Sequence, residues 1–234
     1  MITVVSDLDG TLMSRGRMEL DTVEILRRFQ QNNRLILATG RNLGKVGEIV
    51  ETLRMRQFGS GGLILVNGLE TVDFHDGEYR ISESISEQEC RQILKYVRPV
   101  TAHFRVVRSN GSIQKVEMIL PVFCRLLTAF LKKRLPEFEV LQIGRNWVEV
   151  LPKGTDKENG LRYFMEKYKI SPEELYVFGD GENDVRMLRS TENAFAPGNA
   201  IPAAKKAARK ICAPCAKQGA AKIIKQIMEK GDNL

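Results

Sequence analysis

Ile2-Thr-Val-Val-Ser6, followed by Asp7-Leu-Asp-Gly-Thr11, is a β-branched run that stops abruptly in turn-forming residues. That pattern reads as a buried strand ending in a loop. It recurs twice downstream: Arg34-Leu-Ile-Leu-Ala-Thr39 runs into Gly40-Arg41, and Gly62-Leu-Ile-Leu-Val66 runs into Asn67-Gly68. Between these runs, Val23, Leu26 and Phe29 mark one face of a helix expected over 21–31, with Asp21 as its N-cap. A second helix is expected over about 43–56. Continuously apolar strands separated by helices mean a parallel sheet covered on both faces.

The rhythm returns after residue 153, with a helix over about 157–168, the strand Leu175-Tyr-Val-Phe-Gly179, the loop Asp180-Gly-Glu-Asn-Asp184, a helix to about 189 and a last helix over about 217–229. The stretch between reads differently. A helix Glu87–Val97 follows Ser86, two alternating strands lie around Ala102–Val107 and Ile113–Leu120, a helix Val122–Leu135 is entered through Pro121, and strands Phe138–Ile143 and Trp147–Leu151 turn at Gly144-Arg145-Asn146. The fold class is therefore α/β: a doubly wound, Rossmann-like parallel-sheet core over 1–84 and 153–234, with an inserted α+β domain of αββαββ pattern at 85–152.

Composition narrows the classes further. With 234 residues, 43% hydrophobic and 28% charged, the chain is globular and needs no disulfide framework. Apolar stretches such as Leu63-Ile64-Leu65-Val66 fall far short of the roughly 20 residues that cross a bilayer. An acid as early as Asp7, with no long apolar region around it, argues against a secretory signal, so the four cysteines are expected to be reduced thiols in the cytoplasm. The net charge of +7 is carried by residues 203–230, where eight Lys and Arg face Glu229 alone. No aromatic interleaving accompanies them, so a solvated helix face is expected rather than an RNA surface.

Ligands of an open parallel sheet sit outside the carboxyl ends of its strands. Asp7 and Asp9 follow the first strand, Thr39 the second, Asn67 the third, and Asp180 and Asp184 the strand at 175–179. Four carboxylates at one edge repel one another unless a cation lies between them, and oxygen donors without Cys or His select Mg²⁺ over zinc. Asp7 and Asp9 start on one strand face, and the turn into Gly10 separates their roles. One can bind metal and attack, while the other exchanges protons. Cys212-Ala-Pro-Cys215 has no second pair to complete a zinc site and is read as packing.

Asp7-Leu-Asp-Gly-Thr11-Leu, Ala38-Thr-Gly-Arg41, Lys157 and Gly179-Asp-Gly-Glu-Asn-Asp184, in that order, resemble the four motifs of the haloacid dehalogenase (HAD) superfamily of phosphohydrolases. The insert is similar to the type II (C2) cap of the Cof-like and sucrose-phosphatase-like branch, and to the compact caps of archaeal-type phosphoglycolate phosphatases. The resemblance implies that Asp7 is a nucleophile carrying an aspartyl-phosphate and that Asp9 is its acid and base. It implies phosphoryl or substrate contacts at Thr39, Gly40, Arg41, Lys157 and Asn183, with Arg41 either touching substrate or tying loops together. It also implies Mg²⁺ held by Asp7, Asp180, the backbone carbonyl of Asp9, and Asp184 directly or through water.

On this basis the chain is expected to be a Mg²⁺-dependent phosphatase of small phosphorylated metabolites, of the sugar-phosphate or phosphoglycolate class. A phosphomannomutase-like phosphomutase is the nearer alternative, and a non-catalytic protein binding RNA or an acidic partner the more distant one. A homodimer is left open. Arg105, Arg108, Lys115, Arg145 and Asn146 are candidates for reading the far end of the substrate, whereas Trp147 and Phe104 are expected in the insert's core.

Overall fold

The computed structural model describes residues 1–109, 111–120, 122–143 and 145–231, with the side chains of 230 and 231 outside the description. Pro121 and Gly144, named above as a helix entry and a turn residue, lie outside it. The chain divides into two compact units, Met1–Arg80 with Asp156–Leu234, and Ile81–Thr155. No helix among the described residues is long and apolar enough to cross a membrane.

The first unit begins with β1 (Thr3–Asp7), α1 (Leu20–Phe29), β2 (Arg34–Ala38), α2 (Leu43–Thr52), α3 (Met55–Phe58), β3 (Gly62–Leu65), β4 (Glu70–Asp73) and β5 (Tyr79–Ile81). The second unit holds α4 (Glu87–Val97), β6 (Phe104–Ser109), β7 (Ser112–Ile119), α5 (Cys124–Arg134), β8 (Phe138–Ile143) and β9 (Trp147–Pro152). The chain then returns with α6 (Lys157–Tyr168), β10 (Leu175–Phe178), α7 (Val185–Leu188), β11 (Ala194–Pro197), α8 (Pro202–Ala207), β12 (Lys210–Cys212) and α9 (Gly219–Gly231).

The strand order of the large sheet is β12-β11-β10-β1-β2-β3-β4-β5. From β1 the chain winds outward through β2 and β3, then returns to lay β10 against the other edge of β1, both neighbours parallel to it. The gap between β1 and β10 is therefore the topological switch point, where helices depart to opposite faces and leave a crevice. All five residues of β1 and of β2 are buried, as strands covered on both sides must be.

Several local expectations need correction. Asp21 lies in the first turn of α1, and Glu19 occupies the cap without a side-chain bond, because the extended backbone reaches the helix two residues earlier. The helix expected to run over 43–56 stops after Thr52. Arg27 Nε donates to the Thr52 carbonyl at 2.8 Å and Gln30 Nε2 to the Leu53 carbonyl at 3.0 Å, so side chains of α1 take up the terminal carbonyls and Arg54 turns left-handed at φ 54°. The sheet is not wholly parallel, since β4 runs antiparallel to β3. The basic segment spans α8, β12 and α9 rather than one helix face, with Lys206, Lys210, Lys217, Lys222 and Lys225 exposed.

In the second unit α4 opens with a capping box: Ser86 accepts the Glu89 N–H while the Glu89 carboxylate accepts the Ser86 N–H. α5 starts at Cys124, later than expected, because Phe123 is left-handed at φ 55°. The sheet order is β6-β7-β9-β8, antiparallel throughout. Val116, Met118, Val148 and Val150 pack with Ile93, Val97 and Leu131. Phe104 packs against that cluster, whereas Trp147 is half-buried on the opposite strand face. That face also carries Arg105 paired with Glu117, and Lys115 paired with Glu149 and, at 3.3 Å, with Glu117. Arg108 pairs with Glu87 at 2.7 Å, while Arg145 and Asn146 are exposed.

Candidate active site

Asp7 is the last residue of β1, and Asp180 follows β10 on the other side of the switch point. The two loops can meet because Gly10 has no side chain: its φ is +89°, and a Cβ there would overlap the Asp180 carboxylate. The third contributor arrives from α6. Gly68, at φ +97°, lies directly against the Asp156 carbonyl, so the end of β3 abuts the first turn of α6 and Lys157 is delivered to the sheet edge. Gly68→Ala is expected to cost about 3 kcal/mol in urea unfolding, from a strained φ plus a steric overlap with backbone. A loss below about 1 kcal/mol would mean that this junction yields easily.

Lys157 is fully buried, and its Nζ donates to Asp7 Oδ1 at 2.6 Å and to Asp184 Oδ1 at 2.7 Å. Asp184 is further held through Oδ2, which accepts the Asp180 and Gly181 N–H groups at 2.9 Å each. Asp7 Oδ2 is also buried, yet has no hydrogen-bond partner among the described residues. An orphaned carboxylate oxygen in such a place is costly unless something of positive charge faces it.

One ammonium cannot balance three carboxylates. Burial first, and then the nearby Asp184 and Asp180, push Asp7 up to about 8 against the pull of Lys157. Burial and Asp184 likewise raise Asp180 to about 6. Lys157 is held well above the ordinary lysine range: burial works against its charge, but Asp184 and Asp7 outweigh it. One oxygen from each of Asp7, Asp180 and Asp184 can lie within 4.8 Å of the others. Oxygen-only donors, a charge deficit and an orphaned oxygen fit a hard divalent cation.

Around this centre, Thr39 Oγ1 accepts the Arg41 N–H at 3.2 Å, and Gly40 passes close to the Asn67 side chain. Arg41 grips Asp9 through both carboxylate oxygens, Nε at 2.8 Å and Nη2 at 2.6 Å, a contact that ties the two loops together. Asn183 Nδ2 donates to Asn67 Oδ1 at 2.8 Å, and the Asn67 N–H donates to the Thr39 carbonyl at 3.0 Å. Asp9 lies outside the three-carboxylate group; its side chain is half exposed.

The model of the family of haloacid dehalogenase-like hydrolases matches residues 4–118 and 122–224. The chain belongs to this family. YkrA of Bacillus subtilis is 25% identical over 254 residues, 94% of this chain and 95% of its own. Phosphoglycolate phosphatase 2 of Saccharolobus solfataricus is 24% identical over 215 residues, covering 88% of this chain and 84% of its own. The solved structure of the subclass IIB sugar phosphatase BT4131 superimposes with a TM-score of 0.81 at 21% identity, over 97% of this chain and 99% of that one. This HAD hydrolase carries its αββαββ unit as an insert between β5 and α6.

Two features of the hydrolase escaped the sequence. Asn67 was visible only as a polar residue at a strand end, yet it joins Asn183 to the Thr39 loop from a left-handed backbone at φ 56°. Asn199, in an ordinary-looking Gly-Asn turn, bonds to the loop of Asp7 and Asp9. Cys212 and Cys215 are free and buried, and burial pushes both thiols up to about 11, the state of packing cysteines rather than reactive ones.

Proposed function

We propose that this HAD hydrolase is a Mg²⁺-dependent phosphatase of small phosphorylated metabolites, of the sugar-phosphate or phosphoglycolate class. Asp7 carries the reading: a buried carboxylate at the switch point with one oxygen on Lys157 and the other unpartnered among the described residues. The relation to a phosphoglycolate phosphatase across most of the chain supports the substrate class.

Asp7, Asp180 and Asp184 would hold the cation, together with the Asp9 backbone carbonyl. The cation supplies charge to the phosphoryl oxygens and keeps Asp7 ionised. Asp7 attacks phosphorus, the ester oxygen leaves with the proton of Asp9, and an aspartyl-phosphate and free alcohol result. Water then gives a proton to Asp9 as its oxygen attacks phosphorus, which returns the Asp7 carboxylate and releases phosphate. An ammonium has three donors: two of those on Lys157 reach Asp7 and Asp184, and the third serves a phosphoryl oxygen beside Thr39 and Asn183. Asp9 exchanges Arg41 for the leaving oxygen.

A screen of phosphorylated metabolites, reading released phosphate with Mg²⁺ present, tests the reading; no release from any of them would reject it. Turnover should vanish after exhaustive chelation and return with Mg²⁺, whereas Ca²⁺, which tolerates looser geometry, should inhibit. Stability supplies a separate check. The proton that Asp7 holds up to about 8 in the folded state is lost near the ordinary Asp value when unfolded. The folded state thus binds more protons across that window, so metal-free stability in urea should fall as pH rises from about 4 to 8. Saturating Mg²⁺ should flatten this slope, and an identical slope with and without the ion would count against the site.

A further inference from the structure

Asn199 takes no part in the steps above, yet it touches the loop that performs them. Its exposed side chain donates from Nδ2 to the Gly10 carbonyl at 2.8 Å and accepts the Cys215 N–H on Oδ1 at 2.7 Å. The turn around it is itself clamped. Lys205 Nζ donates to the Gly198 carbonyl at 2.6 Å, the Ala200 N–H to the Pro197 carbonyl at 2.8 Å, and the Ile201 N–H to the Asp180 carbonyl at 3.0 Å. One short turn therefore holds both acid-bearing loops, the first through a side chain and the second through the backbone.

The first loop needs such a hold. After Asp9 its internal bonds all tie the far side, with the N–H groups of Thr11, Leu12 and Met13 converging on the Leu8 carbonyl and the Gly10 N–H reaching the Met13 carbonyl. Gly10, at φ +89°, is the freest backbone in that loop. Among the described residues, the bond recorded for its carbonyl is the one from Asn199. Among the described residues the Asp9 side chain is held by Arg41, a grip that must open for Asp9 to meet a substrate.

We propose that Asn199 is a positioning residue for the acid–base step, fixing the Gly10–Thr11 peptide so that Asp9 stays aimed at the leaving oxygen when Arg41 releases it. The inference rests on the reading of Asp9 as proton donor. Loss of aim at the acid harms a poor leaving group more than a good one, because only the former needs its proton early. A merely structural tie would slow both alike.

The test compares Asn199→Ala and Asn199→Asp with the unmutated protein in Mg²⁺, on glycerol 2-phosphate and on p-nitrophenyl phosphate. Aspartate keeps the acceptor for Cys215 but loses the donor for Gly10. In the first step, read by rapid quenching, both variants should lose about 30-fold in the rate of alcohol release from the alkyl ester and about 3-fold in the burst of aryl alcohol, since only that step distinguishes the two leaving groups. Amide hydrogen exchange should quicken at Gly10–Met13 in both. Equal losses on the two esters, restoration by aspartate, or unchanged exchange at Gly10–Met13 would each overturn the proposal. If the unmutated protein hydrolyses neither ester nor any metabolite in the screen, the phosphatase reading falls, and the exchange measurement alone decides whether Asn199 holds the loop.

Discussion

Lys157→Ala is expected to lower kcat by about 10³-fold, whereas Lys153→Ala should stay within about 2-fold of the unmutated protein. Lys157 is fully buried between Asp7 and Asp184, where its charge acts through a low effective dielectric and meets no competing water. The transition state spreads charge over the equatorial phosphoryl oxygens, so an ammonium fixed beside them stabilises it more than the ground state. Lys153 is exposed. Removing Lys157 also leaves two carboxylates facing each other, at a cost of about 3 kcal/mol in the metal-free state. Mg²⁺ should recover part of that loss in thermal unfolding without restoring kcat, which separates the catalytic role from the structural one. Equal losses for the two lysines, or the reverse order, would refute the assignment.

The second large effect divides the two acids of the first loop. Asp7→Asn should reduce turnover by about 10⁴-fold or more and give no burst, since no acyl phosphate can form on an amide. Asp9→Asn keeps the nucleophile. An alkyl phosphate, whose alcohol leaves poorly without a proton, should react about 10³-fold more slowly. With p-nitrophenyl phosphate the leaving group departs unaided, Asp7 is phosphorylated, and water then attacks slowly for want of a base. Rapid quenching should capture a burst of aryl alcohol approaching one equivalent per enzyme, followed by slow release. A folded, Mg²⁺-binding Asp9→Asn protein without a burst would end this division of labour. An isomeric sugar phosphate formed by the unmutated protein, with little phosphate released, would instead identify a mutase.

Much of this is legible in the sequence alone. The strands that end at Asp7, Ala38 and Phe178 are short apolar runs terminated by Asp, Thr or Gly, and their chemistry is local, so their places could be read from neighbouring residues. Lys157 and Asp7, 150 positions apart, could be joined by resemblance because each opens or closes a regular element. What stayed hidden depends on partners distant in sequence. The break at Arg54 follows from side chains of α1 reaching the terminal carbonyls of α2. β4 carries the buried polar residues Glu70, Thr71 and Asp73, a pattern with neither strand alternation nor an apolar run. The grip of Arg41 on Asp9 required two loops to be placed in space, and Asn199 offered no signal beyond a common turn dipeptide.

The order in which the chain is made has a consequence of its own. β1 receives one neighbour, β2, within the first forty residues, but its other neighbour, β10, is translated only after the whole second unit. The stretch Ile81–Thr155 is contiguous and antiparallel, so it can fold as soon as it emerges, while the large sheet waits with one edge of its central strand unpaired. Until Lys157, Asp180 and Asp184 arrive, Asp7 has neither its buried cation nor its fellow carboxylates. A nascent chain thus exposes Asp7 well before the groups that set its charge, and on the proposed reading it stays chemically silent until they arrive.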